Sequence, residues 1–221
     1  MYQGIVADEV SLEPSGSGQV PHIRCRQLEL NLRPGALLRL RAEPESLVIR
    51  DGRLRFPHGE ARGKPAGLVA TNVQAVIQFL PNGAWEVAPL TGELAGCRIT
   101  VSGSLVHAAA LQDWRLFRPR PGPSLEGKTT DWVGELSRLV ESVNFISPPK
   151  LHLTFALDGV VPETLDLRLY LGAEAAVTRG WRLEAPEFLA HLAPATQGLG
   201  SQLDLVASAD RFSSPWGSGE N

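Results

Sequence analysis

The sequence predicts a mainly β protein: a curved array of antiparallel strands, forming an open groove or a sandwich-like pair of sheets, with one amphipathic helix near 131–143. Three observations point there. Apolar and polar residues alternate with a period of two through most of the chain, the pattern of strands with one apolar face. Turn residues punctuate these runs. Helical spacing dominates only one stretch, in the middle.

Leu28, Leu30 and Leu32 alternate with Glu29, Asn31 and Arg33, and Leu38, Leu40 and Ala42 alternate with Arg39, Arg41 and Glu43. Pro34-Gly35 marks a turn between them. Asp51-Gly52 reads as a two-residue type I′ hairpin turn, which needs positive φ at both positions. That loop sets Ile49 opposite Leu54 and Leu47 opposite Phe56, so register and apolar pattern agree. A second hairpin follows. Val73, Ala75, Ile77 and Phe79 share a face, and Pro81-Asn82-Gly83 forms the loop. Phe79 is then opposite Trp85, Ile77 opposite Val87, and Gln78 opposite Glu86. A third alternating run is Cys97, Ile99, Val101, Gly103 and Leu105, where Gly96 and Gly103 mark a bulge or a bend.

Residues 1–118 thus form an N-terminal β-rich region. Residues 119–130, rich in proline and glycine, read as a linker. Residues 131–221 form a helix and a second β-rich, repeat-like region. Trp132, Val133, Leu136, Leu139, Val140 and Val143 fall on one helical face, with Glu135, Arg138 and Glu141 opposite, and Pro148-Pro149 prevents continuation. The mixed charge of the polar face favours packing on a sheet over lying on a membrane. Alternation resumes with Leu151, Leu153, Phe155 and Leu157, then Leu165, Leu167, Leu169 and Leu171, then Leu203, Leu205 and Ala207. Leu165-Asp166-Leu167 followed by Gly180-Trp181 is echoed by Leu203-Asp204-Leu205 followed by Pro215-Trp216-Gly217. The unit is about 35 to 38 residues, in the range of repeats that cover each other's apolar faces.

Charge and motif content narrow the function. The net charge of −3, with acids and bases interspersed, argues against a nucleic-acid surface. Cys25 and Cys97 are the only cysteines, and no CxxC occurs, which speaks against a structural zinc site. Whether the two form a disulfide or remain thiols is open at this level. His22, His58, His107, His152 and His191 show no metal-ligand spacing. Gly59-Glu60-Ala61-Arg62-Gly63-Lys64-Pro65 has one residue too few between its glycines for a phosphate loop, and proline replaces the magnesium-binding hydroxyl. No nucleophile elbow is present, and the carboxylates read as strand, cap and surface residues. The expectation is therefore no catalytic residue, no metal site and no cofactor. The start has no signal-peptide pattern, and the chain reads as an excerpt of a longer one.

The stretches Leu47-Val48-Ile49-Arg50-Asp51-Gly52-Arg53-Leu54 and Leu90-Thr91-Gly92-Glu93-Leu94-Ala95-Gly96-Cys97-Arg98-Ile99-Thr100-Val101-Ser102-Gly103 resemble bacterial AsmA-like envelope proteins, the family that includes the TamB-like translocation modules. The Pro-Trp-Gly near Trp216 is similar to strand-end motifs of long members. The likeness covers Leu28 to Leu105 and, more loosely, Leu151 to Gly217. It implies a large, mostly periplasmic, non-enzymatic protein held in the inner membrane by a segment not present in this chain. Its β-groove would carry phospholipid or serve outer-membrane assembly. The helix at 131–143 departs from the family's strand array. The groove-lining candidates are Ile77, Phe79, Ile99, Val101, Leu153, Phe155, Leu167 and Leu169, and the ligand is a phospholipid or another acyl chain. The competing reading is a sandwich or repeat module that binds a protein or glycan, with these residues as core.

Overall fold

The computed structural model describes residues 4–12, 22–35, 43–57, 67–113, 143–178, 180–194 and 201–220. The linker at 119–130, the helix over 131–142, the alternating residues Leu38, Leu40 and Ala42, and the loop at 59–65 lie outside these residues. The strands are β1 (Gly4–Leu12), β2 (His22–Leu32), β3 (Pro44–Pro57), β4 (Gly67–Phe79), β5 (Trp85–Leu94), β6 (Cys97–Val106), β7 (Asn144–Phe145) and β8 (Lys150–Asp158). They continue with β9 (Asp166–Gly172), β10 (Ala175–Thr178), β11 (Trp181–Glu184), β12 (Glu187–Ala193), β13 (Gln202–Ser208), β14 (Arg211–Ser214) and β15 (Gly217–Glu220).

Ten strands form one open, curved sheet in the order β1-β2-β3-β4-β5-β6-β8-β9-β12-β13. All neighbours in it are antiparallel except β6 and β8, which pair in parallel from Arg98↔Lys150 to Val106↔Asp158. That ladder joins strands from 1–118 to strands from 131–221 in one sheet. A second sheet has the order β15-β14-β11-β10-β7. It continues the first around a corner. β9 passes through Ala173–Glu174 into β10, β11 returns through Ala185–Pro186 into β12, and β13 passes through Ala209–Asp210 into β14. Backbone bonds bridge the corner: Ala173 N–H donates to Pro186 O at 3.1 Å, Ala185 N–H to Glu174 O at 2.8 Å, and Asp210 N–H to Glu184 O at 3.0 Å. The backbone therefore stays paired where the strands change sheet.

The β4–β5 hairpin has the expected register, with Phe79↔Trp85, Ile77↔Val87 and Gln78↔Glu86. Gly83 takes φ +74° in its loop, and Leu80 N–H donates to Ala84 O at 2.8 Å to close it. Asp51-Gly52 is different. It is no hairpin turn but the middle of β3, which pairs with β2 on one side and β4 on the other. Asp51 adopts φ +50° as a bulge, and the ladder to β4 shifts register there. The reason is geometric. A bulge puts Ile49 and Gly52, three apart, on the same face, so Leu47, Ile49, Gly52 and Leu54 stay together. A two-residue turn preserves the same apolar pattern, so the pattern does not separate the two.

Comparable left-handed residues are Glu9 (φ 54°), Asn72 (φ 54°) and Ala185 (φ 47°). Each separates apolar neighbours three apart: Ala7 and Val10, Ala70 and Val73, Leu183 and Pro186. Bulges increase bend and twist, and here they turn the sheet toward its apolar side. Val73 is 0% exposed and Ala70, Ala75 and Cys25 are buried, while Asp51, Asn72 and Gln74 at the same bend are exposed. The core therefore sits inside the bend of β2 to β6. The third alternating run is β6; Gly96 lies in the two-residue turn from β5, and Gly103 lies under Phe155.

The internal echo coincides with a recurrence of strand spacing. β9, β10 and β11 recur as β13, β14 and β15, each starting 36 residues later (166 to 202, 175 to 211, 181 to 217). Leu167 thus corresponds to Leu203 and Leu169 to Leu205, so the Leu-Asp-Leu echo is two residues out of structural register. A slip of two keeps every leucine on its own face, which is why the sequence conceals it.

The far end of the β6–β8 ladder is closed by a polar clamp. Asp158 Oδ1 accepts from Val160 N–H at 2.9 Å and lies 2.9 Å from His107 Nδ1. Thr164 Oγ1 accepts from Asp158 N–H at 2.9 Å. The Val160 N–H bond, followed by the His107 contact, holds the Asp158 carboxyl below its ordinary value of 3.8. A depressed folded-state value means that the clamp's contribution is complete above the ordinary carboxylate range and is lost as pH falls through the lower value. Asp158→Asn is expected to flatten the fall in stability below about pH 4. Denaturation midpoints measured across acid pH check this, and an unchanged acid limb contradicts it.

Candidate functional site

Cross-strand partners share a face of a sheet, and the registers assemble apolar rows that cross most of the large sheet. Val101↔Leu153↔Leu169↔Ala190↔Leu205 runs unbroken over β6, β8, β9, β12 and β13. Beside it runs Ile77↔Val87↔Gly103↔Phe155↔Leu167↔Leu192. Ile99↔Leu151↔Leu171↔Phe188 flanks the first row on its other side. Phe79↔Trp85↔Leu105↔Leu157 flanks the second.

All eight lining candidates fall in these rows. Ile99 is buried at 8% exposure; Ile77, Phe79, Val101, Leu153, Phe155, Leu167 and Leu169 are partly exposed. The two ends of the sheet differ in exposure: Val73 at the bend is 0% exposed, and Leu203 and Leu205 on β13 are both 59% exposed. The face is therefore core at the β2–β6 end and open toward β13. Leu151, Leu171, Phe188, Leu192 and Leu205 belong to the same face and were not among the candidates. The signal for them was their alternation in phase with Leu153, Leu169 and Leu203.

The opposite face is polar. On it, a shallow depression of about 490 Å³ lies between His152, Thr154, Arg168, Tyr170, Leu189, His191, Asp204 and Val206. Its ionisable groups hold one another. Asp166 Oδ1 is 3.2 Å from His191 Nε2 and 3.4 Å from Arg168 Nε. Tyr170 donates to Glu187 Oε1 at 2.9 Å, and that carboxylate raises the phenol above its ordinary value. Leu189 and Val206, both exposed, are paired across β12 and β13 on this polar face.

Cys25 and Cys97 are separate free thiols, both buried on the apolar face, on β2 and β6. Burial raises both, and Glu9 adds to the effect at Cys25. Among the described residues, no three His, Cys, Asp or Glu side chains stand together as metal donors, and no helix is long and apolar enough to cross a membrane.

Fold and site together define an open, curved β-sheet with one continuous apolar face. Comparison of the chain with family models, curated proteins and solved structures finds no match.

Proposed function

We propose that the chain is part of a non-enzymatic envelope protein whose apolar sheet face holds lipid acyl chains, in the periplasm, for lipid transport or outer-membrane assembly. The observation that carries this is the row from Val101 through Leu153, Leu169 and Ala190 to Leu205, unbroken across five strands, partly exposed as far as Ala190 and open at Leu205. At about 4.8 Å between strands the row is roughly 19 Å long. That exceeds the roughly 15 Å that one leaflet gives an acyl chain, half of a ~30 Å hydrocarbon core. Each methylene that leaves water along it contributes about 0.8 kcal/mol. The resemblance to AsmA-like proteins supports the same reading, with inner-membrane attachment through a segment outside this chain.

The Leu153→Asp, Leu169→Asp double variant tests it. Both positions are partly exposed, so the carboxylates can remain hydrated and the β fold is expected to survive. Binding of a fluorescent fatty acid should weaken by roughly tenfold or more, the effect of losing a few methylene contacts. A folded double variant that binds as well as the parent contradicts the reading. A second reading is an interaction module for a protein or glycan, favoured by the exposed Leu189–Val206 pair that lines the depression on the other face. In that case the two leucines are core and the double variant unfolds.

A further inference from the structure

We infer that the turn end of the second sheet, around Trp181, Phe212 and Trp216, is a bilayer-docking tip that seats in the interfacial layer of a phospholipid membrane. Trp216 lies in the turn between β14 and β15 and is 85% exposed, the most exposed large apolar side chain among the described residues. Trp181 follows the turn between β10 and β11, and its ring centroid is 6.4 Å from that of Trp216 and 6.1 Å from that of Phe212. Gly180 lies against the Pro215 ring, so the described residues of the two turns lie together. From Phe212 to Gly219 the chain carries no charge.

Several features select a bilayer as the occupant. Tryptophan has an apolar body and one N–H donor, which suits the headgroup boundary, where such rings concentrate in membrane proteins. All three rings are exposed, and since an aromatic side chain offers at most about 150–250 Å², together they fall short of the roughly 800 Å² that each partner contributes to a stable protein interface. The tip is also continuous with the apolar face. Leu183 pairs with both Ala176 and Phe212, and β11 runs through Ala185, at φ 47°, and Pro186 into β12, so the strand that carries Leu183 beside the rings continues into the strand that carries Phe188 on the large sheet. An acyl chain drawn from a bilayer at Trp216 meets apolar surface from Trp181 and Leu183 to Phe188 and Leu171. This path rests on the lipid-binding reading; docking of the tip on a membrane does not.

The test is flotation of the whole chain with vesicles of phosphatidylcholine and phosphatidylglycerol, with tryptophan quenching by shallow brominated lipid. The parent is expected to float and to be quenched. Trp216→Ser is expected to lose roughly tenfold in partitioning, the effect of removing one large buried apolar group. Its circular dichroism and its fatty-acid binding are expected to be unchanged, because the residue is at a solvent-exposed turn away from the rows of the large sheet. A parent that does not float, or a Trp216→Ser variant that floats equally well, overturns the inference. So does a parent that is dimeric through the tip, seen as a halving of mass in Trp216→Ser, since the rings are then a contact between copies. Loss of flotation with fatty-acid binding intact separates the tip from the groove. Flotation with no fatty-acid binding leaves the tip standing and removes the groove.

Discussion

Val73→Asp is expected to unfold the chain. Val73 is 0% exposed, at the inside of the bend, between Gly52 of β3 and Gly92 of β5. Ala70 and Ala75 on the same strand are also buried, and no buried polar or charged side chain is among the described residues to receive a carboxylate there. An uncompensated buried charge costs about 3–5 kcal/mol, a large part of the roughly 5–15 kcal/mol that holds a domain folded. Val73→Ala removes only two methyl groups and should lower the denaturation midpoint while leaving a cooperative transition. Circular dichroism with urea titration reads both variants. A folded Val73→Asp of near-parental stability would mean that the bend is wet and that the core is elsewhere.

Gly103→Val should sever the join between the two halves of the large sheet. Gly103 pairs with Phe155 in the β6–β8 ladder, and the Phe155 ring and carbonyl occupy the space a Cβ needs. Valine is otherwise favoured in strands, so local preference opposes the expected outcome and makes it informative. Overpacking typically costs roughly 1–3 kcal/mol, and the backbone carbonyl in this contact cannot swing aside as a side chain can, which places the effect at the upper end. The two halves are expected to lose their common transition: hydrogen exchange should speed up at Ile99, Val101, Leu153 and Leu169 before β2–β4 is affected. In Phe155→Ala the added cost of Gly103→Val should shrink but not vanish, since the carbonyl remains. Equal costs in both backgrounds contradict the contact.

Much of the fold was legible because alternation reports which residues share a face, whatever the strands pair with. The β4–β5 hairpin could be read to the residue, since Pro81-Asn82-Gly83 left one register in which Phe79 meets Trp85. Asp51-Gly52 misled because a left-handed aspartate serves a bulge as well as a turn and both keep Ile49 and Leu54 on one face. The bend was illegible for a related reason: Glu9, Asn72 and Ala185 adopt positive φ without being glycine, and neighbouring strands hold them there. The parallel β6–β8 pairing was also invisible, because periodicity says nothing about which strand lies beside which. For the site, alternation named eight residues of the apolar face. It gave no warning that Ile99 is buried while Leu203 and Leu205 are open, since exposure depends on distance from the bend.

The central claim is that the open apolar face holds acyl chains. Native mass spectrometry of the purified chain, with extraction and identification of co-purifying lipid, tests it most directly. The account predicts a stoichiometric phospholipid or fatty acid on the folded chain, retained at low collision energy and depleted in the Leu153→Asp, Leu169→Asp variant. A lipid-free chain of unit mass, still free of lipid after incubation with phospholipid, contradicts it.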